Sequence, residues 1–353
     1  MHNLLLAGYI GCGNLGDDAM ALGFMEAAHG EFDFIILSGN PELTYNQYKV
    51  HSVPRMDSGA VDKAIESCDA LVFPGGSIFQ DVTSVRSVAY YSRLVKKAKS
   101  KGKKVLLLGQ GVGPLNRFFG KRMAAAAFRA ADAVTVRDPA SMSAIKALGV
   151  HRPVKLTADC AFLMPPPNPY NEGGSFGVGN MKTVGLAPRP YGKKGEVADL
   201  FGELARLLYK ANYVPMLIEM DKNEDGGLIQ EISNSQGGKI PDMRKMTGPI
   251  QVQERIARME GVIAMRLHAG ILAATVGVPP LMVSYDPKVD GFAKQLGLGG
   301  ALPFKGATAQ RIFDSFIKTV KDREKNLAIL EKKRDELTKL ALENISVLRE
   351  TLK

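Results

Sequence analysis

Arg266 and His268 stand one residue apart, between an apolar run at residues 262–265 and a stretch of small apolar residues at 269–276. An arginine fork binds carboxylate or phosphate through paired N–H donors, and a histidine exchanges a proton near neutral pH. The apolar run reads as a buried strand and the small-residue stretch as a closely packed helix. The pair therefore falls at a strand-to-helix turn, and open α/β sheets bind ligands at the carboxyl ends of their strands. In the competing reading Arg266 caps a neighbour and His268 is a hydrogen-bonded structural residue.

Other strand ends carry polar residues too. The first loop, residues 8–19, contains the formal spacing Gly11-x-Gly13-x-x-Gly16 of a dinucleotide site. Asp17 and Asp18 follow directly and would repel a pyrophosphate, and the second strand ends at Leu37-Ser38 with no acid to hold a ribose. A helix N-terminus favours these carboxylates as anions. Either one caps the helix, or one serves as a base or acceptor for a hydroxyl substrate.

The second loop, Pro74-Gly75-Gly76-Ser77-Ile78-Phe79-Gln80-Asp81, has paired glycines that permit close backbone approach. In the third, Gly109-Gln110-Gly111-Val112-Gly113-Pro114, Gln110 either donates to a ligand or ties two loops together. In Val136-Arg137-Asp138-Pro139, Asp138 and Pro139 read as N-cap and first helical residue. That leaves Arg137 to point at a ligand or to pair with Asp138 or Asp159.

In the second half, Arg189, then Asp221 and Asp225, then Tyr285, Asp286 and Lys288 follow successive expected strands. Arginines, one histidine, a lysine and carboxylates together suit a substrate that bears both carboxylate and phosphate and reacts with a hydroxyl. The candidate substrate-binding residues are Asn14, Gly16, Asp18, Gly75, Gly76, Ser77, Gln80, Gln110, Arg189, Tyr285, Asp286 and Lys288. The candidate catalytic residues on this reading are His268, Arg266, Arg137 and Asp17.

Positioning these residues requires an α/β frame. Apolar runs at 4–7, 34–37, 70–73, 105–108, 133–136 and 154–157 alternate with helix-like stretches at 17–29, 59–67, 84–100, 117–130 and 139–148. Beyond residue 182 the runs at 183–187, 213–218, 262–265 and 281–284 alternate with helices at 196–210, 224–233, 251–260 and 268–276. This alternation predicts largely parallel, doubly wound sheets. Pro165-Pro166-Pro167-Asn168-Pro169, followed by Gly173, Gly174 and Gly177, continues neither element and reads as a linker. From Thr308 to Lys353 an apolar stripe at helical spacing predicts a long helix or a helix pair. The expected division is 1–167 and 168–304 as two Rossmann-like domains, with 305–353 helical.

The chain has 353 residues, enough for two domains at about 100–200 residues each. Its apolar run near the start is too short for a secretory signal and leads into a glycine-rich turn, so a cytoplasmic protein is expected. Cys12, Cys68 and Cys160 are widely spaced and indicate neither a disulfide framework nor a zinc site. The net charge of +10 favours anionic partners. Basic residues concentrate between Arg93 and Lys104, which is either a solvated helix face or a surface that contacts acidic membrane at the inner face. No stacking-aromatic pattern accompanies the run and the chain has no tryptophan, which argues against nucleic acid.

Taken together, residues 8–19, Pro74–Asp81, Gly109–Pro114, Val136-Arg137-Asp138, Arg266-Leu267-His268-Ala269 and Ser284-Tyr285-Asp286-Pro287-Lys288-Val289 resemble the polysaccharide pyruvyl transferase family. The motifs are most similar to the branch that modifies secondary cell wall polymers for S-layer anchoring. They run in the family's order from residue 8 to about residue 297.

The resemblance implies a GT-B-like fold with the acceptor on the first domain, the donor on the second and the site between them. It implies transfer of the pyruvyl group of phosphoenolpyruvate to a sugar as a ketal, typically on N-acetylmannosamine of a lipid-linked disaccharide. It implies no cofactor, phosphoenolpyruvate being a co-substrate. It places donor binding and catalysis on Arg266, His268 and Arg137, and implicates a carboxylate after a second-domain strand, Asp225 or Asp221. Two departures stand out: Cys160 replaces a frequent proline after the aspartate, and Pro74 replaces a glycine.

The mechanism expected from these residues has Arg266 and Arg137, with Lys288, holding the donor's carboxylate and phosphate. His268 protonates the vinylic carbon as a hydroxyl adds, and Asp17 or Asp225 takes the hydroxyl proton. The main alternative is a GT-B glycosyltransferase using a nucleotide sugar. A remoter one is a basic membrane- or nucleic-acid-docking module.

Overall fold

The computed structural model describes residues 1–82, 84–168 and 182–353. Pro169, Gly173, Gly174 and Gly177 of the expected linker lie outside the described residues. The chain divides into two compact units: residues 1–12, 17–165 and 337–353 form the first, and residues 13–16 and 166–336 the second.

The first unit holds an all-parallel sheet of β1 (His2–Leu6), β2 (Phe32–Ser38), β3 (His51–Pro54), β4 (Ala70–Phe73), β5 (Gly76–Phe79), β6 (Lys104–Val112), β7 (Ala133–Val136) and β8 (Lys155–Leu156). The strand order is β3-β2-β1-β4-β6-β7-β8, with β5 also paired to β6. Strands β4 and β7 are buried throughout, as expected for a sheet covered on both faces. The core on one side gathers Phe73, Phe79, Tyr91 and Phe128, with the rings of Phe79 and Phe128 at 4.8 Å. Each such side chain contributes about 1.5–3 kcal/mol by leaving water.

The second unit holds β9 (Lys182–Ala187), β10 (Tyr213–Leu217), β11 (Gly261–Ala264), β12 (Pro280–Ser284) and β13 (Leu302–Pro303), also parallel, in the order β10-β9-β11-β12-β13. The helix Glu196–Lys210 buries Val197, Phe201, Leu204, Ala205 and Leu208 along one stripe, the 3.6-residue period of a helix lying on a sheet. Phe316 and Ile312, from the helix Ala309–Lys321, complete this core. Because all the strands are parallel, the loops after β10, β9, β11 and β12 emerge side by side at one edge of the sheet.

The terminal stripe forms two helices, Ala309–Lys321 and Arg323–Leu352. In the first unit, the buried Asn344 of the last helix accepts from Thr135 and, at 2.9 Å, from the Thr157 hydroxyl. Its amide donates to Ala158 O at 3.1 Å. No helix among the described residues is long and apolar enough to cross a membrane.

Two expectations about loops change. The second glycine loop is largely strand: Gly75 and Gly76 adopt φ of 134° and 96°, and the chain then runs as β5 with Gly76 opposite Gln110 and Phe79 opposite Val112. The third loop continues β6 as far as Val112. A helix that was not expected, Pro287–Leu296, follows Tyr285, and Asp286 caps it by accepting from Lys288 N at 3.0 Å. The helix Pro41–Tyr48 and the edge strand β3 also went unpredicted. The first is polar, with Thr44 its buried residue, and β3 is part-exposed along its length, so neither shows a hydrophobic period.

Candidate active site

At the carboxyl edge of the second sheet, four neighbouring loops bring together Arg189 after β9, residues 219–225 after β10, Arg266 after β11 and Tyr285 after β12. Arg266 is 7% exposed and Asp225 fully buried. The guanidinium grips the Asp225 carboxylate in a fork, with Nε 3.1 Å from both oxygens and Nη2 on Oδ1. Asp225 Oδ2 also accepts from the backbone N–H groups of Met220 and Asp221, at 3.1 and 3.0 Å. Burial raises the Asp225 pKa, opposed by Arg266 and those N–H groups. Burial likewise works against the Arg266 charge, but Asp225 more than offsets it.

Nη2 of Arg266 reaches a second carboxylate, Glu224 Oε2, at 2.9 Å. The same oxygen lies 3.3 Å from Arg189 Nη2. Arg189 Nη1 donates to the Tyr285 hydroxyl at 2.6 Å, and the guanidinium carbon lies 5.2 Å from the Tyr285 ring centroid. Burial raises the Tyr285 pKa against the influence of Arg189, so the hydroxyl keeps its proton and can donate it to an anion. Two guanidinium groups thus converge on one half-exposed carboxylate, an arrangement equally fit to hold a ligand anion.

His268 is the second residue of the helix Leu267–Thr275 and is half-buried. Gly16 packs directly on it: a Cβ at residue 16 would lie 2.1 Å from His268 Nδ1. Residues 13–16 are held to the loop after β10. Leu15 N donates to Met220 O at 2.9 Å and Lys222 N to Gly13 O at 2.9 Å. Asn14 Nδ2 donates to Asp221 Oδ2 at 3.2 Å, and Asn14 Oδ1 accepts from Gly16 N at 3.0 Å. Lys288 Nζ sits 3.9 Å from Asp286 Oδ2, so Lys288 neighbours its own helix cap.

In the first unit, Arg137 takes the paired alternative. It is 6% exposed, with Nη1 2.8 Å from Asp159 Oδ2 and Nη2 2.9 Å from Ser77 Oγ. Its Nε lies 3.6 Å from Asp138. Gly111 leaves room for this group, since a Cβ there would fall 2.8 Å from Arg137 Nη2. Asp18 accepts from Gly11 N at 2.7 Å and so closes the first loop. Asp17 is half-exposed, and a Cβ on Gly76 would lie 3.0 Å from its Oδ1.

Gln110 corrects its sequence assignment. It is fully buried, and its amide nitrogen contacts the carbonyls of Phe73, Gly75 and Leu108 at 3.1, 3.2 and 2.9 Å. Its N–H groups are spent on the loops, so it ties them and donates to no substrate. Gln80 is half-buried at the end of β5. The residue that sequence reasoning missed is Glu224. It precedes Asp225 in a polar stretch and read as the first residue of a helix; nothing in its spacing marked it as the shared partner of two arginines.

The fold is of the GT-B class. The chain is similar to HepE of Anabaena in complex with UDP-glucose, with a TM-score of 0.65 at 12% identity over 99% of this chain and 98% of that one. It is similar also to a UDP-GlcNAc 2-epimerase from Neisseria meningitidis bound to UDP-GlcNAc, at 0.60 and 11% over 99% and 100%. A putative UDP-N-acetylglucosamine 2-epimerase from Listeria monocytogenes gives 0.67 and 12% over 98% and 94%. Identities this low speak for the fold alone. No curated protein matches the sequence. The model of the polysaccharide pyruvyl transferase family matches residues 14–287, and the chain belongs to that family. It is a transferase.

Proposed function

We propose that the protein moves the pyruvyl group of phosphoenolpyruvate onto a sugar as a ketal, with release of phosphate. The observation that carries this is the convergence of Arg189 and Arg266 on a single half-exposed carboxylate oxygen, beside the Tyr285 hydroxyl. A donor with a carboxylate and a phosphate has the anions such a cluster takes.

In the proposed reaction Arg266, Arg189 and Tyr285 hold the donor anions. His268 gives a proton to the vinylic carbon while a sugar hydroxyl adds to the adjacent carbon and loses its own proton to a base. The carbon–oxygen bond to phosphate then breaks, phosphate departs with the bonding pair, and a second hydroxyl captures the oxocarbenium-like carbon and releases its proton. A positioned acid and a positioned base contribute about 10²–10⁴-fold each. Asp225 is assigned a positioning role, because its oxygens are committed to Arg266 and two backbone N–H groups. The base is assigned to Asp17.

The proposed acceptor is N-acetylmannosamine of a lipid-linked precursor of an S-layer-anchoring cell wall polymer, met at the cytoplasmic face of the membrane. The motif resemblance supports that choice. Two solved structures of similar fold hold UDP-glucose and UDP-GlcNAc, and a nucleotide-sugar donor is the rival. A melting titration separates the two, since a ligand of the native state stabilises it by mass action. Phosphoenolpyruvate is expected to raise Tm and UDP to leave it unchanged; the reverse pattern favours the rival.

A further inference from the structure

Arg55 follows the last residue of β3 in the first unit and is half-buried. Its Nη1 donates to Cys12 Sγ at 3.1 Å and its Nη2 to the Tyr91 hydroxyl at 3.1 Å. Three rings surround the guanidinium carbon, with centroids at 4.8 Å for Tyr90, 5.4 Å for Tyr9 and 5.6 Å for Tyr91. The Tyr90 hydroxyl fixes the backbone by donating to Arg55 O at 2.8 Å.

Among the described residues no carboxylate is paired with the Arg55 guanidinium. Arg137, Arg189 and Arg266 each hold a carboxylate, whereas no ion pair among the described residues involves Arg55. The sulfur is held as a thiol: burial, the largest influence, raises the Cys12 pKa, Arg55 pulls it down, and Asp18 and Asp17 raise it further. A guanidinium stays charged in any such setting. Cation–π contacts offset part of what an ion loses on leaving water without a partner. The side chain has five N–H donors and the two bonds above use two. Beside it Tyr9 is 37% exposed.

We propose that Arg55, with Tyr9, Tyr90 and Tyr91, forms a binding site for a phosphorylated saccharide. The phosphate oxygens take the remaining guanidinium N–H groups and the apolar face of the sugar lies on the Tyr9 ring. The anion follows from the cage itself; the choice of a saccharide as its carrier rests on the transferase reading.

Calorimetry with N-acetylglucosamine 1-phosphate, inorganic phosphate and N-acetylglucosamine as probes, in saturating phosphoenolpyruvate, tests the site. The sugar phosphate is expected to bind at least tenfold more tightly than phosphate, and the neutral sugar more weakly than both. Arg55→Gln is expected to weaken sugar phosphate binding about 100-fold. Tyr9→Ala, at a part-exposed position, is expected to cost about fivefold for the sugar phosphate and nothing for phosphate, and it carries the test should Arg55→Gln not fold. Undiminished binding in a folded Arg55→Gln protein, or equal affinity for phosphate and sugar phosphate, overturns the proposal. Arg55-dependent binding without any pyruvyl transfer leaves this site standing and refutes the donor assignment instead.

Discussion

Glu224 Oε2 lies 2.9 Å from Arg266 Nη2, and this one oxygen also reaches Arg189 Nη2 at 3.3 Å. A carboxylate of the protein itself therefore occupies the point where two strand-end guanidinium groups meet. It stands where a donor anion is proposed to bind, and half of its side chain is exposed.

Replacement of Glu224 by Gln removes a competing charge. A half-exposed ion pair is worth up to about 1 kcal/mol, so the KM for phosphoenolpyruvate is expected to fall about fivefold with kcat little changed. Steady-state kinetics check this; a raised KM means that Glu224 supports the donor rather than competing with it.

Asp225 is bound differently, and its substitution should be felt by the whole second unit. Asp225→Asn keeps the shape but leaves the buried Arg266 with only the half-exposed Glu224 as counter-ion, a change expected to cost about 3 kcal/mol of stability, the lower end for a broken buried pair. Urea denaturation measures it. A protein of nearly wild-type stability with greatly reduced kcat would instead make Asp225 the base.

Gly16 has no room for a side chain because His268 Nδ1 lies where its Cβ would be, 2.1 Å away. Gly16→Ala must push the imidazole aside. Displacing a positioned acid by about 1 Å costs about 10²-fold, so kcat is expected to fall by that factor with a modest drop in Tm. Unchanged turnover would remove His268 from the chemistry.

Glu219, 6% exposed, has a pKa raised first by burial and then by the neighbouring Asp225. Its folded-state pKa exceeds the unfolded value, so the folded chain binds more protons between the two. This contribution to stability therefore falls as pH rises from about 4.5 through the folded pKa. Glu219→Gln is expected to raise Tm at pH 7–8 and to lose that advantage below about pH 4. A Tm difference independent of pH contradicts the assignment.

Much of the frame was legible because buried parallel strands announce themselves as apolar runs: Ala70–Phe73 and Ala133–Val136 were read to the residue. Arg266, His268 and Arg189 could be placed at strand ends for the same reason. The helix Pro287–Leu296 was not read, although Asp286, Pro287 and Gly297 are its cap, first residue and left-handed C-terminal stop, the same signal that located the helix after Asp138.

What could not be read are relationships between loops distant in sequence. Nothing local says that Gln110 spends its amide on three carbonyls, that Ser77 joins Asp159 at Arg137, or that Glu224 serves two arginines. Such pairings depend on strand order, β10-β9-β11-β12 in the second unit, which places residues 189, 224 and 266 side by side although they lie up to 77 positions apart (266 − 189).

Phosphate release from phosphoenolpyruvate, measured with a diphosphate-linked N-acetylmannosaminyl acceptor, tests the central claim most directly. The expected result is acceptor-dependent release by the wild-type protein and a loss of at least about 10²-fold in kcat on His268→Ala. Undiminished release by His268→Ala, or sugar transfer from a nucleotide sugar with no phosphate released from phosphoenolpyruvate, would contradict it.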